Sequence, residues 1–407
     1  MREEAMIKGT DQLDTICFGG EDWWYHNRGH IDMQLMRRFA KKGTLVYVNS
    51  LVMQKPNIRE GSTFIKKVVR KARSIFTGLK RSEEGFWVYS PFSLPTHHIH
   101  WLKGFNCWLL KVQMRHISRK LGLKDPLVWV ACPVACDTAL ALRGSKLVYQ
   151  RTDRYEEFPG VPRDTIEACD RTLKAAADLT VFVSGTLFDQ ERDACKRAMR
   201  LDHGVDFDFF ALAENDPYQP PDLADIPKPI IGFYGGFAEH TTDIALLREV
   251  TELLPERSFV FVGKPNQESE QLADLKNVWM LGQKPYDQIA HYGKCFDVTI
   301  MPWKQNRWIQ ACNPIKLKEY LALGKPVVST PFTELDNYKP VVYEAQDADG
   351  FAQAIEQALA EDSPEKMAAR REKVMDSTWD RKAQTVLEEL CSREDSEVPC
   401  VANVDRA

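Results

Sequence analysis

The sequence predicts an α/β protein made of two Rossmann-like, doubly wound domains. Three observations predict it. The chain has 407 residues, enough for two cores of roughly 200 residues each. Short apolar strands alternate with helical periodicity on both sides of a proline-rich break. Apolar content of 44% and charged content of 28% are those of a globular protein, and no run of 18 apolar residues suggests a membrane-spanning helix.

The first half, residues 1–213, reads in order. Asp14–Phe18 is a strand, Ile31–Lys42 a helix with Ile31, Leu35, Met36 and Phe39 on one face, and Thr44–Asn49 the next strand. A basic amphipathic insertion follows at about 61–124. Leu127–Ala131, Lys146–Tyr149 and Leu179–Ser184 read as further buried strands, with Ile166–Ala177 a helix between the last two. Residues 214–229 contain Pro217, Pro220, Pro221, Pro227 and Pro229 and read as a linker. Beyond it, across 230–376, a second alternating set runs through Ile230–Tyr234, Asp243–Leu254, Ser258–Val262, Val278–Leu281, Asp297–Met301, Val327–Ser329 and Val341–Tyr343. Residues 377–390 read as a terminal helix, and 391–407 as a polar, disordered tail.

Chemistry is most legible between Asn313 and Val328. Asn313 suits an N-cap and Pro314 the first helical position. Gly324 suits a left-handed stop, and Pro326 forbids continuation before the strand at Val327. Lys316 and Glu319 are three apart, hence on one helix face. Amides and an ammonium for phosphate, with a carboxylate one turn on for hydroxyls, suit a phosphorylated sugar; an ordinary capped helix in an α/β sheet is the alternative. Gly235 and Gly236 lie between the strand at Ile230–Tyr234 and a helix, a turn that lets backbone approach phosphate oxygens. Lys264, Gln283 and Tyr286 follow the next two strands, and Met301-Pro302-Trp303 ends a third. Loops beyond the carboxyl ends of such strands converge on one crevice.

This pattern resembles the nucleotide-sugar domain of the GT-B glycosyltransferases, most nearly the teichuronic-acid biosynthesis (TuaH-type) members, which share the asparagine-proline-x-lysine-x-x-glutamate form. The resemblance implies a GT-B fold, in which two Rossmann-like domains face a central cleft and the C-terminal helix crosses back to the first domain. It implies that Glu319 holds the donor ribose, and that Asn313 and Lys316 lie by the diphosphate. Gly235 and Gly236 would form the diphosphate loop, with Gln283 and Tyr286 cupping the base; Tyr286 serves equally as a packing residue. Two departures stand out. Many retaining members carry an arginine and a lysine after the glycine loop, where this chain has Glu239 and His240, so Lys264, Lys316 or Arg307 must meet the diphosphate. The common retaining pattern also has a glutamate eight residues before Glu319, where this chain has Ala311.

On the first domain, Asp153 follows a strand and is the candidate general base for an acceptor hydroxyl. Beside Arg151 and Arg154 it could equally be a salt-bridged loop residue. Glu156, Asp137, His26 and Asp22 are weaker candidates. Gly20, Asp22 and Trp23 follow the first strand and should wall the acceptor side, although the tryptophan also suits a core.

The remaining signals concern partners. Thirteen bases and two acids lie between Gly61 and Lys124, a net +11 in a chain of net −4. Phe64, Val69, Phe76, Trp101, Phe105 and Trp108 interleave with them, a composition suited to an anionic membrane surface or, alternatively, to a solvated helical face. The overall charge gives no pointer to nucleic acid. The ten cysteines include no Cys-x-x-Cys pair, and reduced cysteines imply a cytoplasmic compartment. The N-terminal residues are too polar for a secretory signal, so the protein is expected on the inner face of the membrane. His97, His98 and His100, and Asp206-x-Asp208 near the linker, are weak metal signals; no metal and no bound cofactor is expected. The sequence thus implies transfer of a sugar from a nucleoside diphosphate, uridine for preference, to a hydroxyl of a lipid-linked or polysaccharide acceptor. A nucleotide-sugar epimerase and a non-catalytic binding subunit are the alternatives.

Overall fold

A computed structural model describes residues 12–25, 29–53, 62–93, 100–142, 144 and 146–392. His26, His97, His98 and the tail from 393 lie outside these. The described chain forms two sheets. In the first half it runs through β1 (Thr15–Phe18), α1 (Ile31–Phe39), β2 (Leu45–Val48), α2 (Ser62–Thr77), β3 (Leu79–Arg81), β4 (Trp87–Tyr89), α3 (His100–Leu121), β5 (Leu127–Val130), α4 (Cys136–Leu142), β6 (Leu147–Arg151), α5 (Arg163–Ala176), β7 (Leu179–Phe182), α6 (Gly185–Glu191), β8 (Ala198–Arg200) and α7 (Phe207–Ala211). The strand order is β3-β4-β2-β1-β5-β6-β7-β8, parallel except for the β3–β4 pair. The basic segment is therefore more than a helical insertion. Its Trp87–Tyr89 stretch pairs in parallel with β2 and extends the sheet. Three-residue strands are too short to show an alternating pattern, which is why the sequence reads as helical throughout.

The second half runs through β9 (Ile230–Tyr234), α8 (Ile244–Leu253), β10 (Ser258–Val262), β11 (Val278–Gly282), α9 (Tyr286–Lys294), β12 (Val298–Met301), α10 (Arg307–Gln310), α11 (Ile315–Leu323), β13 (Val327–Ser329), β14 (Tyr343–Glu344), α12 (Ala348–Glu361), α13 (Pro364–Glu372) and α14 (Trp379–Cys391). Its strand order is β11-β10-β9-β12-β13-β14. Central strands such as Ile230–Tyr234 and Ser258–Val262 are buried throughout, as expected of parallel strands covered on both faces. Both sheets reverse strand order once, between β1 and β5 and between β9 and β12. At such a reversal the flanking loops diverge and open a crevice beyond the strand ends. Gly19-Gly20 and Gly235-Gly236 follow β1 and β9, one at each reversal.

The last helix returns to the first domain. Thr378 caps it and bridges to Val205, and Trp379, Ala383, Val386 and Leu390 are buried in the first domain's core beside Leu45, Leu127 and Val181. Gly204 is required here, because a Cβ would sit 2.6 Å from the Trp379 ring. Arg38 of α1 pairs with Asp380 at 3.0 Å, and the Lys146 ammonium donates to the Leu390 carbonyl at 2.6 Å.

Candidate functional site

The second-domain half of the cleft is built around α11. Its C-terminus matches the sequence: Gly324 is left-handed at φ 80°, and its N–H and that of Lys325 close on Leu321 and Tyr320. Its N-terminus does not. Pro314 takes the cap position with no side-chain cap bond, and the Asn313 carboxamide instead donates to the Val183 carbonyl of the first domain at 3.1 Å. Asn313 is thus a domain-bridging residue. Capping preference is local, whereas this partner is 130 positions away and invisible to it.

Glu319 is 4% exposed. The Tyr286 hydroxyl donates to its Oε1 at 3.2 Å. The Tyr234 hydroxyl, buried and without a hydrogen bond of ideal geometry, lies against the same carboxylate. Burial pushes the Glu319 carboxyl up to about 7, although Lys316 and the two phenols act in the opposite sense. Burial likewise holds the Lys316 ammonium below the ordinary lysine range, against the pull of Glu319. Lys316 lies against the glycine turn: Gly235 has φ +139°, and a Cβ there would stand 2.3 Å from Lys316 Cε. Gly236 has nothing within 4 Å of its Cβ direction, leaving its backbone open to a ligand. Tyr286 begins α9, and its ring stacks on Phe209 at 5.9 Å, so it packs and also orients Glu319. Lys264 and Gln283 are exposed at the ends of β10 and β11. Arg307 points elsewhere, toward Glu157 at 3.7 Å.

The first-domain half departs further from expectation. Arg151 does not pair with Asp153. It turns into a buried cluster with Glu156 at 2.9 Å, Glu191 at 3.2 Å and Asp170 at 3.3 Å, where Lys174 also pairs with Asp170 at 2.6 Å. Glu156 belongs to this structural cluster, which corrects its place among candidate bases. Arg154 meets the neutral amide of Gln190 instead of the aspartate. Asp153 is thereby left in the loop after β6, with burial raising its carboxyl to about 6 and Arg151 only partly offsetting it. The Asp153 charge contributes to raising the buried Cys312 thiol, one residue before Asn313.

Trp23 is fully buried, edge-on to Phe86 at 4.8 Å; it is core and not an acceptor wall. Asp22 accepts from Ser74 of α2 at 2.8 Å and from the Trp24 N–H at 3.1 Å, so it ties the loop to the basic helix. Gly20 donates its N–H to Asp32 at 2.9 Å, and Tyr47 donates to the same carboxylate at 2.7 Å. Asp32, in the first turn of α1, was not singled out by sequence; an acid opening the helix beyond the strand reversal was the available signal. Asp137 is half-buried in the first turn of α4. Asp206 and Asp208 are both exposed, and no group of three or more His, Cys, Asp or Glu side chains among the described residues is arranged to hold a metal.

Several bridges across the cleft were also beyond sequence. Lys318, 1% exposed, pairs with Asp202 and donates to the His203 carbonyl, and Lys382 of α14 pairs with the same aspartate. Burial alone would raise the Asp202 carboxyl, but the two lysines overcome it and hold it below the carboxylate range. Glu334 accepts from the Gly185 N–H and pairs with Arg200 at 2.8 Å. Phe158 of the first domain packs against His240 and Trp308 of the second, at 5.5 and 5.7 Å between ring centres. His240 thus joins an aromatic bridge between the two domains. Ala311 packs against Phe182 and Leu187 of the first domain.

Residues 228–361 match the family described as glycosyl transferases group 1. The match lies within the second domain and covers about a third of the chain. The chain is 31% identical over 176 residues to TuaH of Bacillus subtilis (strain 168), by name a teichuronic acid biosynthesis glycosyltransferase. That match covers 40% of this chain and 43% of the relative, so it spans less than half of either. Among solved structures, sucrose-phosphate synthase from Thermosynechococcus elongatus superposes with a TM-score of 0.69 at 15% identity, covering 95% of this chain and 100% of that one. HepE of Anabaena in complex with UDP-glucose gives 0.65 at 12% identity, covering 94% and 100%. At these identities the likeness establishes the fold, which is GT-B.

Proposed function

We propose that this protein is a glycosyltransferase that moves a sugar from a uridine diphosphate donor to a hydroxyl of a lipid-linked or polysaccharide acceptor in cell-surface glycan synthesis. The observation that carries it is the buried Glu319, met by the Tyr286 hydroxyl and one turn from a lysine lying on the Gly235 turn. This set offers a carboxylate to vicinal hydroxyls, and an ammonium and backbone N–H groups to a diphosphate. The group 1 match and the naming of TuaH support the reaction class, and the UDP-glucose bound by HepE supports the donor class.

In the proposed reaction Asp153 accepts the proton of the acceptor hydroxyl as its oxygen bonds to the anomeric carbon. The bond from that carbon to the diphosphate breaks, and the electron pair leaves with the nucleoside diphosphate. Lys316, Lys264 and the Gly236 N–H stand where that charge develops, and its stabilisation is the principal catalytic contribution. No metal and no organic cofactor takes part in this scheme.

The acceptor side is proposed to work at an anionic membrane surface from the cytoplasm. Phe105, Trp108 and Val112 form an exposed stripe on α3 at helical spacing, and Val69 and Phe76 stand out from α2. Arg115, Arg119 and Lys120 continue the exposed face of α3. Among the described residues no helix is long and apolar enough to cross a membrane, so contact would be interfacial.

Nucleotide release, measured with and without a lipid-linked acceptor, tests the assignment. Acceptor-dependent release is expected. Conversion of the donor sugar without acceptor would mark an epimerase, and no release under either condition would mark a binding subunit.

A further inference from the structure

A groove of about 500 Å³ opens between the domains beside Asp153 and is not part of the donor set described above. Arg154, Thr186 and Gln190 line it from the first domain, and Arg307, Gln310 and Ala311 from the second. No carboxylate lines it. Arg154 spends one nitrogen on the neutral Gln190 amide, and its Nε is buried without a hydrogen-bond partner. Arg307 is 74% exposed and, among the described residues, pairs with Glu157 at 3.7 Å. Glu157 is already shared with Arg163 at 3.2 Å, so it offsets Arg307 only in part. Two guanidinium forks with uncommitted donors, in a slot otherwise lined by neutral groups, match the planar acceptor pairs of a carboxylate or phosphate.

The geometry points to this groove as the subsite for an anionic group, a carboxylate or a phosphate ester, carried by one of the two sugars. The inference rests on the glycosyltransferase reading and narrows its substrate class. Its position supports it. Arg154 of the groove follows Asp153 directly, and Ala311 of the groove lies two residues before Asn313, just ahead of α11. A sugar reacting at Asp153 would therefore project its substituents into the slot.

Calorimetric titration of the full chain tests the assignment in two arms. The donor arm compares UDP, UDP-glucose and UDP-glucuronate. The acceptor arm, with UDP present, compares glucose with glucuronate and glucose 6-phosphate. The charged sugar is expected to bind about tenfold tighter than its neutral counterpart in one arm, the scale of a charge-assisted hydrogen bond, and that arm identifies which sugar carries the group. Arg154→Gln and Arg307→Gln, each checked for an unchanged melting temperature, should abolish the preference and leave UDP affinity intact. Equal affinities in both arms would overturn the groove assignment alone, as would a preference that survives both substitutions. Parallel loss of UDP affinity would also overturn it, by placing the arginines on the diphosphate. A wild-type chain that binds no UDP would overturn the donor reading and this inference together.

Discussion

The two carboxylates that face the cleft are held in opposite ways. Glu319 sits in a socket built by its own domain, with Tyr286, Tyr234 and Lys316 around it. Asp153 sits at a strand end whose neighbouring arginines have both been drawn elsewhere, Arg151 into an acidic cluster and Arg154 onto Gln190. Burial raises both carboxyls, but only one has fixed partners. The difference teaches that the second-domain half is preorganised, while Asp153 is left for the proposed acceptor to complete. A group that holds a ligand gains from prepaid orientation. A group that takes a proton gains from a proton affinity near the working pH and from the lack of a competing ion pair.

That contrast can be broken or sharpened by experiment. The largest effect is expected at Asp153. Asp153→Asn should lower turnover by roughly 10²- to 10⁴-fold, the usual worth of a general base, with donor affinity unchanged; normal turnover would remove it as the base. In the wild type, turnover should rise with pH through about 6 as Asp153 loses its proton, and the residual activity of the variant should lack this limb. Next in size, Glu319→Ala should weaken donor binding by roughly 1–3 kcal/mol, the cost of losing hydrogen bonds to a charged group. Unchanged affinity would dissolve the socket as a donor site.

Glu319 also predicts a pH dependence of stability. Between its ordinary value of 4.5 and about 7 the folded protein keeps a proton that the unfolded chain has lost, so this group's contribution falls as pH rises through that window. The loss is on the order of 3 kcal/mol at full extent. Glu319→Gln should remove it, seen as a melting temperature that drops less than the wild type's from pH 5 to pH 8. His203, held down to about 3 by burial, acts in the opposite direction below pH 6.5. It is common to both proteins and cancels in the comparison. If the two pH profiles run parallel, Glu319 is not held as described. Tyr286→Phe, which deletes one hydroxyl on Glu319, should cost the donor only about 0.5–1.5 kcal/mol. The smallest effect should come from Phe76→Ser with Trp108→Ser, which should reduce flotation with anionic vesicles and leave the donor constants alone. Equal binding of the wild type to neutral vesicles would contradict the electrostatic part of that account.

Much of the donor half was legible because its residues lie close together in sequence. Lys316, Glu319 and Gly324 share one helix, and helical spacing alone places the first two on one face. The alternation of strands was equally local, since burial on both faces leaves continuous apolar runs such as Ile230–Tyr234. Legibility failed where a residue's partner is distant. Arg151 reads as a neighbour of Asp153 until Glu191, 40 positions on, claims it. Trp23 reads as a platform for sugars until Tyr47 and Phe86 close over it.

By itself, then, the sequence determined the alternating α/β architecture and the placing of Lys316 and Glu319 on one helix with its glycine stop, because periodicity, turn chemistry and helix geometry act over a few residues. Only the tertiary structure decided which charges remain unpaired. It turned Asn313 from a cap into a bridge, took Arg151 from Asp153, and left Arg154 and Arg307 facing a shared slot. The physical reason is that desolvation and ion pairing depend on distances through space, and the fold sets those by joining segments more than a hundred residues apart.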